Sequence, residues 1–183
     1  IHGGGFSTGS YSGTQESFVR EGIIYASIEY RFGALGFLCH PELAKESKQG
    51  LAGNYGILDQ IEALKWVHSN IASFGGDPDK ITICGESAGG ISVSILCASP
   101  LCKGLFSGAI SESGSSFLPV APDNAKAGDA TSKLNKSQKA AEKVGLEFQK
   151  RLGMKNLKQL RKVPFQTIID STRYGSFWPV CDG

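Results

Sequence analysis

The residues around Ser87 have the types and spacing that nucleophilic catalysis needs. The segment Ile81-Thr82-Ile83-Cys84-Gly85-Glu86-Ser87-Ala88-Gly89-Gly90 contains a Gly-x-Ser-x-Gly pattern. The β-branched residues before it predict a short buried strand, and the apolar run after it predicts a helix. A serine on a sharp strand-to-helix turn has its hydroxyl exposed at the sheet edge, and flanking glycines let the backbone pass closely. We therefore expect Ser87 to be a nucleophile. The alternative is a glycine-rich turn with a solvent-facing serine.

A second glycine cluster could stabilise the negative charge that forms when a serine attacks a carbonyl group. The chain begins Ile1-His2-Gly3-Gly4-Gly5-Phe6, and a His-Gly-Gly-Gly loop can present backbone N–H groups to a developing oxyanion. We expect the donors to be the N–H groups of Gly4, Gly5 and Ala88. Ala88 would also begin a helix, whose dipole favours negative charge. Alone, the glycine run is typical of a flexible linker, but the Gly-x-Ser-x-Gly pattern favours an oxyanion loop.

The predicted elements that position these motifs alternate between strands and helices. Strands are predicted over Gly22–Tyr30, at Ile81–Ile83 and over Leu105–Ser111. Apolar residues spaced three and four apart predict an amphipathic helix over about Leu58–Phe74, and a further helix ends near Pro100. This alternation is the order of a parallel α/β sheet with right-handed crossovers.

The character of the chain changes after Ser116. Residues Pro119 to Lys136 are rich in Ala, Asp, Lys, Ser and Pro, which predicts a polar loop. Helices are then predicted over Lys139–Leu152 and Asn156–Val163, with Gly153 between them. The sequence contains no internal repeat.

Six ordered motifs make the chain resemble the type-B carboxylesterases, the α/β-hydrolases that include the cholinesterases. The motifs are Gly3-Gly4-Gly5-Phe6, Tyr30-Arg31-Phe32-Gly33-Ala34-Leu35-Gly36-Phe37-Leu38, Gly53-Asn54-Tyr55-Gly56-Ile57-Leu58-Asp59-Gln60, Phe74-Gly75-Gly76-Asp77-Pro78, Gly85-Glu86-Ser87-Ala88-Gly89-Gly90 and Ser113-Gly114-Ser115. A weaker mark is Pro179-Val180-Cys181-Asp182-Gly183. The resemblance implies an α/β-hydrolase fold, a mostly parallel sheet flanked by helices, and hydrolysis of carboxylic esters through a serine nucleophile and an acyl-enzyme.

The resemblance also implies how the chain is organised. Family members are much longer, so we expect residues 1–183 to be a partial α/β-hydrolase domain, truncated at both ends. Residues 1–118 would carry the oxyanion loop and the nucleophile turn. Residues 119–183 would form a helical excursion toward the substrate pocket.

Several residues match family positions beside the reacting groups. Glu86 would support the hydrogen-bond network of the active site; the less favoured alternative is a solvent-exposed charge on the turn. Ser113 matches a serine that hydrogen-bonds near the triad acid. Arg31 and Asp59 match an ion pair that fixes the scaffold. Two other positions complete this set: Asn54, expected to order the turn before the long helix, and Glu29, which stands where Asn is common.

The general base and the acid of a catalytic triad are not expected within these residues. An α/β-hydrolase orders its triad as Ser, acid, His, whereas all three histidines precede Ser87. His2 is expected to shape the oxyanion loop, His40 to be a solvated turn residue and His68 to be a packed or surface-edge histidine. The family's acid is a Glu well beyond the Val-x-Asp-Gly segment. Three aspartates follow Ser87 but lie outside any family motif: Asp123, Asp129 and Asp170.

Composition excludes several other functions. The net charge of +2 is too small to indicate nucleic acid or an anionic membrane as a partner. No apolar run approaches the ~20 residues that span a bilayer. The hydrophobic fraction of 40% and the charged fraction of 20% are typical of a globular protein. We expect a small-molecule ester as the partner and no cofactor or metal, because serine esterase chemistry needs none.

The cysteines and one sequon leave redox state and localisation open. The five cysteines, an odd count without metal-site spacing, are Cys39, Cys84, Cys97, Cys102 and Cys181. Cys84 is expected to be a small buried hydrophobe, while a bridge between Cys97 and Cys102 stays undecided. The sequon Asn135-Lys136-Ser137 would matter only in a secreted protein.

Two alternatives compete with an active esterase. One is a non-catalytic adhesion or binding member of the same fold, although such relatives typically lack the nucleophilic serine. The other is an inactive truncated product, because a serine without its base is nearly inert. Four aromatic side chains could line a substrate gorge, but core packing is the favoured role for most of them: Phe6, Phe117, Phe177 and Trp178.

Overall fold

The computed structural model describes residues 1–11, 13, 15–114 and 136–181. In chain order its helices are α1 (Glu16–Arg20), α2 (Gly33–Phe37), α3 (Pro41–Glu46), α4 (Tyr55–Asn70), α5 (Ala88–Ala98), α6 (Gln138–Arg151), α7 (Leu157–Leu160) and α8 (Phe165–Ser171). The strands are β1 (Thr82–Glu86), β2 (Gly108–Glu112), β3 (Lys136–Ser137) and β4 (Val180–Cys181). The described residues form two compact units, one within 1–4, 9–30 and 58–116, the other within 5–8, 31–57 and 117–183.

The first unit is built on a parallel strand pair. Strands β1 and β2 pair in register from Thr82 opposite Gly108 to Glu86 opposite Glu112. Helix α5 connects them, and its apolar face buries Val93 and Leu96. A strand, a tight turn, a helix and a second parallel strand are the elements that the sequence predicted around Ser87, so this part of the prediction is confirmed.

Helix α4 follows the predicted amphipathic pattern. Ile61 and Leu64 are buried, and buried Gln60 donates a hydrogen bond from Nε2 to Ser92 Oγ of α5 at 3.1 Å. The α-helix ends at Asn70, and a 3₁₀ turn over Ile71–Phe74 leads to Gly75, whose φ of 85° ends the helical segment. Phe74 is 64% exposed, because it lies in this turn rather than on the helix.

The strand predicted over Gly22–Tyr30 is not observed. The structure assigns no strand to this segment, and Ile23 and Ile24 are about half exposed. A strand is defined by ladder hydrogen bonds to a neighbour, and among the described residues the only strand pairs are β1 with β2 and β3 with β4. An apolar, β-branched run was therefore not sufficient to form a strand here.

The second unit has an aromatic core. Phe6 is fully buried and its ring contacts Phe37 and Trp178 edge-on, with centroids 5.1 and 5.2 Å apart. The rings of Phe148 on α6 and Phe177 make a further edge-to-face pair at 5.2 Å. Core packing is therefore confirmed for Phe6 and Phe177, while Phe117 lies outside the described residues.

Two polar side chains connect distant segments of this unit. His40, expected to be solvated, is buried: its Nδ1 accepts from Glu42 N–H at the start of α3, and its Nε2 lies 2.8 Å from Gln149 Oε1. The sequence prediction was wrong because the partner, Gln149 on α6, is remote in sequence. Asn54 donates to Val180 O and accepts from Val180 N–H, both at 2.9 Å. The expected ion pair of Arg31 with Asp59 stays a prediction.

Cys39, Cys84, Cys97 and Cys102 are free thiols, so no bridge joins Cys97 to Cys102. Cys39 is buried, whereas Cys97 is exposed and Cys84 only half-buried. Burial raises the pKa of the Cys39 thiol to about 12, which leaves very little reactive thiolate near neutral pH. No helix among the described residues is long and apolar enough to cross a membrane.

We predict that Cys39 resists alkylation in the folded protein. At pH 8, iodoacetamide should modify Cys97 at least about tenfold faster than Cys39, because Cys39 is both inaccessible and protonated. Peptide mass mapping over time measures both rates. In denaturant the two rates should converge, and equal rates in the native protein would contradict the buried position of Cys39.

Candidate active site

Ser87 lies on the turn between β1 and α5 with an unusual backbone. Its φ of 55° and ψ of −117° place a non-glycine residue in a region that L side chains rarely adopt. Such a conformation costs about 1–3 kcal/mol and persists only where the surrounding structure enforces it. Strained residues of this kind concentrate at functional sites, so the geometry favours a nucleophile turn over an ordinary glycine-rich turn.

The Ser87 side chain is not used to cap the helix that follows it. Serine before a helix usually accepts a hydrogen bond from an early backbone N–H, as Ser137 does from Ala140 N–H at 3.2 Å. Ser87 makes no such side-chain bond to α5. Its hydroxyl is therefore not consumed by helix capping.

Backbone contacts hold this turn in place. Ser87 N–H donates to Glu112 O of β2 at 2.9 Å, and Ser87 O accepts from Ile91 N–H at 3.0 Å. The glycines of the motif are needed because the backbone meets itself: a Cβ on Gly85 would lie 2.5 Å from the carbonyl of Gly89. A Cβ on Gly114 would likewise overlap Ser87 O.

The glycine-rich loop, the candidate oxyanion loop, begins beside this turn. A Cβ on Gly3 would lie 3.3 Å from Ser87 Cβ, so Gly3 packs directly against the candidate nucleophile. The next three residues, Gly4, Gly5 and Phe6, all have positive φ, at 103°, 60° and 52°. Gly4 belongs to the first unit with Ser87 and buried Ala88. Gly5 belongs to the second unit, where a Cβ on it would lie 2.5 Å from the Tyr174 hydroxyl.

Glu86 and Ser113 lie at the carboxyl ends of the two paired strands. Glu86 is opposite Glu112 in the register, so Ser87 and Ser113 each follow a paired residue. Both Glu86 and Ser113 are exposed, and Ser113 also has a positive φ of 51°. Glu86 Oε2 would be 3.1 Å from a Cβ on Gly3, so its carboxylate faces the start of the glycine-rich loop. Open α/β sheets bind ligands at this edge.

The three histidines differ in what they contact. His2 Nδ1 lies 2.8 Å from Gly3 O, in agreement with a role in shaping the loop. His40 has both ring nitrogens engaged within the second unit. His68 is half-buried on α4, as expected for a packed or surface-edge histidine. Within the described ranges no cluster of His, Cys, Asp and Glu could hold a metal ion.

A cavity of about 720 Å³ lies elsewhere in the first unit. Its lining is mostly apolar and includes Ile23, Ile24, Leu64, Ile83 and Leu96. Gly3, Gly4, Ser87 and Ala88 do not line it. Ile23 and Ile24 are about half exposed, so this is an open apolar cavity that is separate from the candidate site.

Sequence reasoning missed residues that support the site through the backbone. Ser111 Oγ donates to Gly90 O at 3.0 Å, which anchors the first turn of α5 to β2. Tyr30 stacks on His2, and its hydroxyl donates to His2 O at 2.9 Å. Gly114 and Tyr30 both lie inside the family motifs given above, so those motifs could have identified them as supporting residues. Ser111 carried no signal of its own.

The sequence profile of the carboxylesterase family matches residues 1–183. The chain is 45% identical over 126 residues to the fumonisin B1 esterase of Sphingopyxis macrogoltabida, covering 66% of this chain and 23% of that protein. It is 48% identical over 122 residues to the cocaine esterase of Homo sapiens, covering 65% and 21%. The chain thus spans about a fifth of the length of these curated relatives.

Solved carboxylesterase structures match the fold of this chain. The carboxylesterase EST55 of Geobacillus stearothermophilus matches with a TM-score of 0.82 and 35% identity, covering 100% of this chain and 38% of its own. A thermophilic PNB esterase matches with a TM-score of 0.78 and 32% identity, covering 99% and 37%. The α/β-hydrolase fold expected from the motifs is confirmed by these structures.

We predict that Gly85→Ala destabilises the protein more than Gly104→Ala. The Cβ at position 85 must displace the backbone of Gly89, whereas a Cβ at position 104 meets nothing within 4 Å. Gly104→Ala should cost only about 1–2 kcal/mol for its positive φ of 78°, and Gly85→Ala about 3 kcal/mol, at the upper end of the usual cost of overpacking. Urea unfolding of both variants measures the difference. Equal losses would contradict the close approach of Gly85 and Gly89.

Proposed function

The chain belongs to the carboxylesterase family, and from that premise we propose that the whole protein hydrolyses small-molecule carboxylic esters with Ser87 as nucleophile. Family and fold support ester hydrolysis. The observation that carries the assignment of the nucleophile is the turn at Ser87. A serine with φ of 55°, packed against the glycine loop and not engaged in capping α5, is arranged to present its hydroxyl at the sheet edge.

The proposed reaction has two halves. A general base takes the proton of Ser87 Oγ as this oxygen attacks the ester carbonyl carbon. The tetrahedral intermediate collapses, the bond to the alcohol oxygen breaks, and the alcohol leaves with that proton. A water molecule, deprotonated by the same base, then attacks the acyl-enzyme and releases the carboxylic acid and Ser87.

The developing oxyanion is proposed to accept hydrogen bonds from the N–H groups of Gly4, Gly5 and Ala88. Ala88 is the first residue of α5, an 11-residue helix, so its N–H lies at the positive end of the helix dipole. The contact of Gly3 with Ser87 Cβ brings the start of the glycine loop beside the nucleophile. Removing one oxyanion donor costs on the order of 10² to 10³ in rate.

Supporting roles are proposed for residues that lie near these donors. Glu86, whose carboxylate faces Gly3, would support the hydrogen-bond network of the site, and Ser113 would act near the triad acid. The base is proposed to be a histidine outside residues 1–183, because no histidine of the sequence follows Ser87. A protein of these 183 residues alone should therefore turn over esters very slowly.

The proposed substrate class follows from the relatives. The relatives are named as a fumonisin B1 esterase and a cocaine esterase. Both names denote cleavage of an ester in a small molecule. We therefore propose small-molecule carboxylic esters for this protein and no cofactor.

We predict that Ser87→Ala abolishes ester hydrolysis in the full-length protein. Turnover of an aryl ester should fall by at least about 10³-fold, because the attacking oxygen is lost. A fluorophosphonate probe should label the wild-type protein on Ser87 and leave the variant unlabelled. Steady-state kinetics and peptide mass spectrometry make the two measurements.

The matched control is Ser94→Ala on the same helix. Ser94 Oγ donates to Gly90 O within α5 at 3.2 Å, which is a contact inside the helix, so this variant should keep wild-type turnover. Retained turnover in Ser87→Ala would refute the nucleophile. An inactive and unlabelled wild type would favour the non-catalytic binding member of the fold.

A further inference from the structure

Within the first unit, the carboxylate of Glu29 contacts one residue on each side of the glycine-rich loop. Glu29 Oε1 accepts a hydrogen bond from Tyr11 N–H at 2.9 Å. Glu29 Oε2 lies 3.5 Å from His2 Nε2, an ion-pair distance. His2 directly precedes Gly3, and Tyr11 comes soon after Gly9, so the two contacts lie at the two ends of the loop. Holding both ends of a loop reduces the number of conformations open to it.

The His2 ring transmits this constraint to the loop backbone. Its Nδ1 lies 2.8 Å from Gly3 O, and its plane stacks on Tyr30 with centroids 4.3 Å apart. Gly9 leaves room for this arrangement, since a Cβ there would lie 2.5 Å from both His2 Nδ1 and Gly3 O. Burial raises the pKa of the Tyr30 hydroxyl, so it stays protonated and keeps donating to His2 O.

The two ring nitrogens of His2 have different partners, Gly3 O and the Glu29 carboxylate. A carbonyl oxygen can only accept, so the close contact with Gly3 O requires a proton on His2 Nδ1. The other nitrogen, Nε2, faces the carboxylate of Glu29 at 3.5 Å. The His2 side chain is 5% exposed while Glu29 is 59% exposed, so the carboxylate reaches the buried ring from the surface.

We propose that Glu29 is a positioning residue for the oxyanion loop. By holding His2 and Tyr11 it fixes the Gly3 carbonyl and, because that carbonyl and Gly4 N–H belong to one planar peptide group, the direction of Gly4 N–H. The inference rests on the proposed function, because the direction of Gly4 N–H matters only if that group receives the oxyanion.

The chemistry of the side chain supports this role. Residue 29 is a position where the family resemblance leads one to expect Asn. Asn has one acceptor oxygen on a side chain one carbon shorter, whereas Glu29 uses two oxygens, one toward each end of the loop. The glutamate of this chain can therefore hold both contacts at once.

Two substitutions separate the two contacts. Glu29→Gln keeps an oxygen that can accept from Tyr11 N–H but removes the charge that faces His2. Glu29→Ala removes both contacts. Glu21→Gln is the matched control, because Glu21 is an exposed carboxylate on the same stretch of chain.

The measurements use the full-length protein and count active sites first. Titration with a fluorophosphonate gives the fraction of enzyme with a reactive Ser87. Aryl-ester kinetics then give kcat per titrated site and KM, and a trifluoromethyl ketone serves as a transition-state analogue. We expect Glu29→Ala to lower kcat per site by roughly 10- to 100-fold with KM changed less than about twofold. The ketone's Ki should rise by the same factor as kcat/KM falls.

The weaker variant tests the route through His2. Glu29→Gln should lower kcat per site by less than Glu29→Ala. In a His2→Asn background it should add almost nothing, because both substitutions break the same contact. Glu21→Gln should match the wild type in every measurement.

Other results would overturn the inference. The inference would fail if both Glu29 variants kept the wild-type kcat per site and the wild-type Ki for the ketone. It would also fail if the variants lost only titratable active sites or melting temperature, with kcat per site unchanged. Additive losses in the His2→Asn background would also refute the route. If the wild type showed no Ser87-dependent hydrolysis, the proposed function itself would fail, which the Ser87→Ala comparison reveals separately.

Discussion

The backbone of Ser87 must hold a conformation that L residues rarely adopt, and the surrounding first unit is built to hold it. Strand β2 receives the Ser87 N–H, helix α5 begins at the next residue, and Gly85 and Gly89 approach each other too closely for any side chain. The strain is local, but the contacts that compensate for it come from three segments. Removing any one of them would let the turn relax, so parallel pairing, helix start and glycine spacing depend on one another.

Prediction from sequence succeeded where the determinants are local. The turn at Ser87, α4, α5, β1 and β2 follow from apolar periodicity and from glycines at fixed spacing, which act over a few residues. Family motifs added the oxyanion loop, although the N–H groups of Gly4 and Gly5 as donors stay a proposal.

Prediction failed where the determinant is a distant partner. The segment Gly22–Tyr30 has the composition of a strand, but a strand also needs a neighbour, and composition does not specify one. His40 was predicted to be a solvated turn residue, but in the structure it is buried and its ring lies within hydrogen-bond distance of Gln149 on α6. The contacts of Glu29 were hidden for the same reason, because His2 and Tyr11 meet it only in the folded chain.

In the proposed mechanism only one reacting group on this chain is a side chain, the Ser87 hydroxyl. The oxyanion donors are backbone N–H groups, which substitution can seldom remove but can easily redirect. A donor's value depends steeply on its direction and distance. Residues that orient the loop backbone, such as His2 through its contact with Gly3 O, are therefore where sequence variation can adjust the rate. Two chains with identical Gly-x-Ser-x-Gly and His-Gly-Gly-Gly motifs can then differ in activity through a residue outside both motifs.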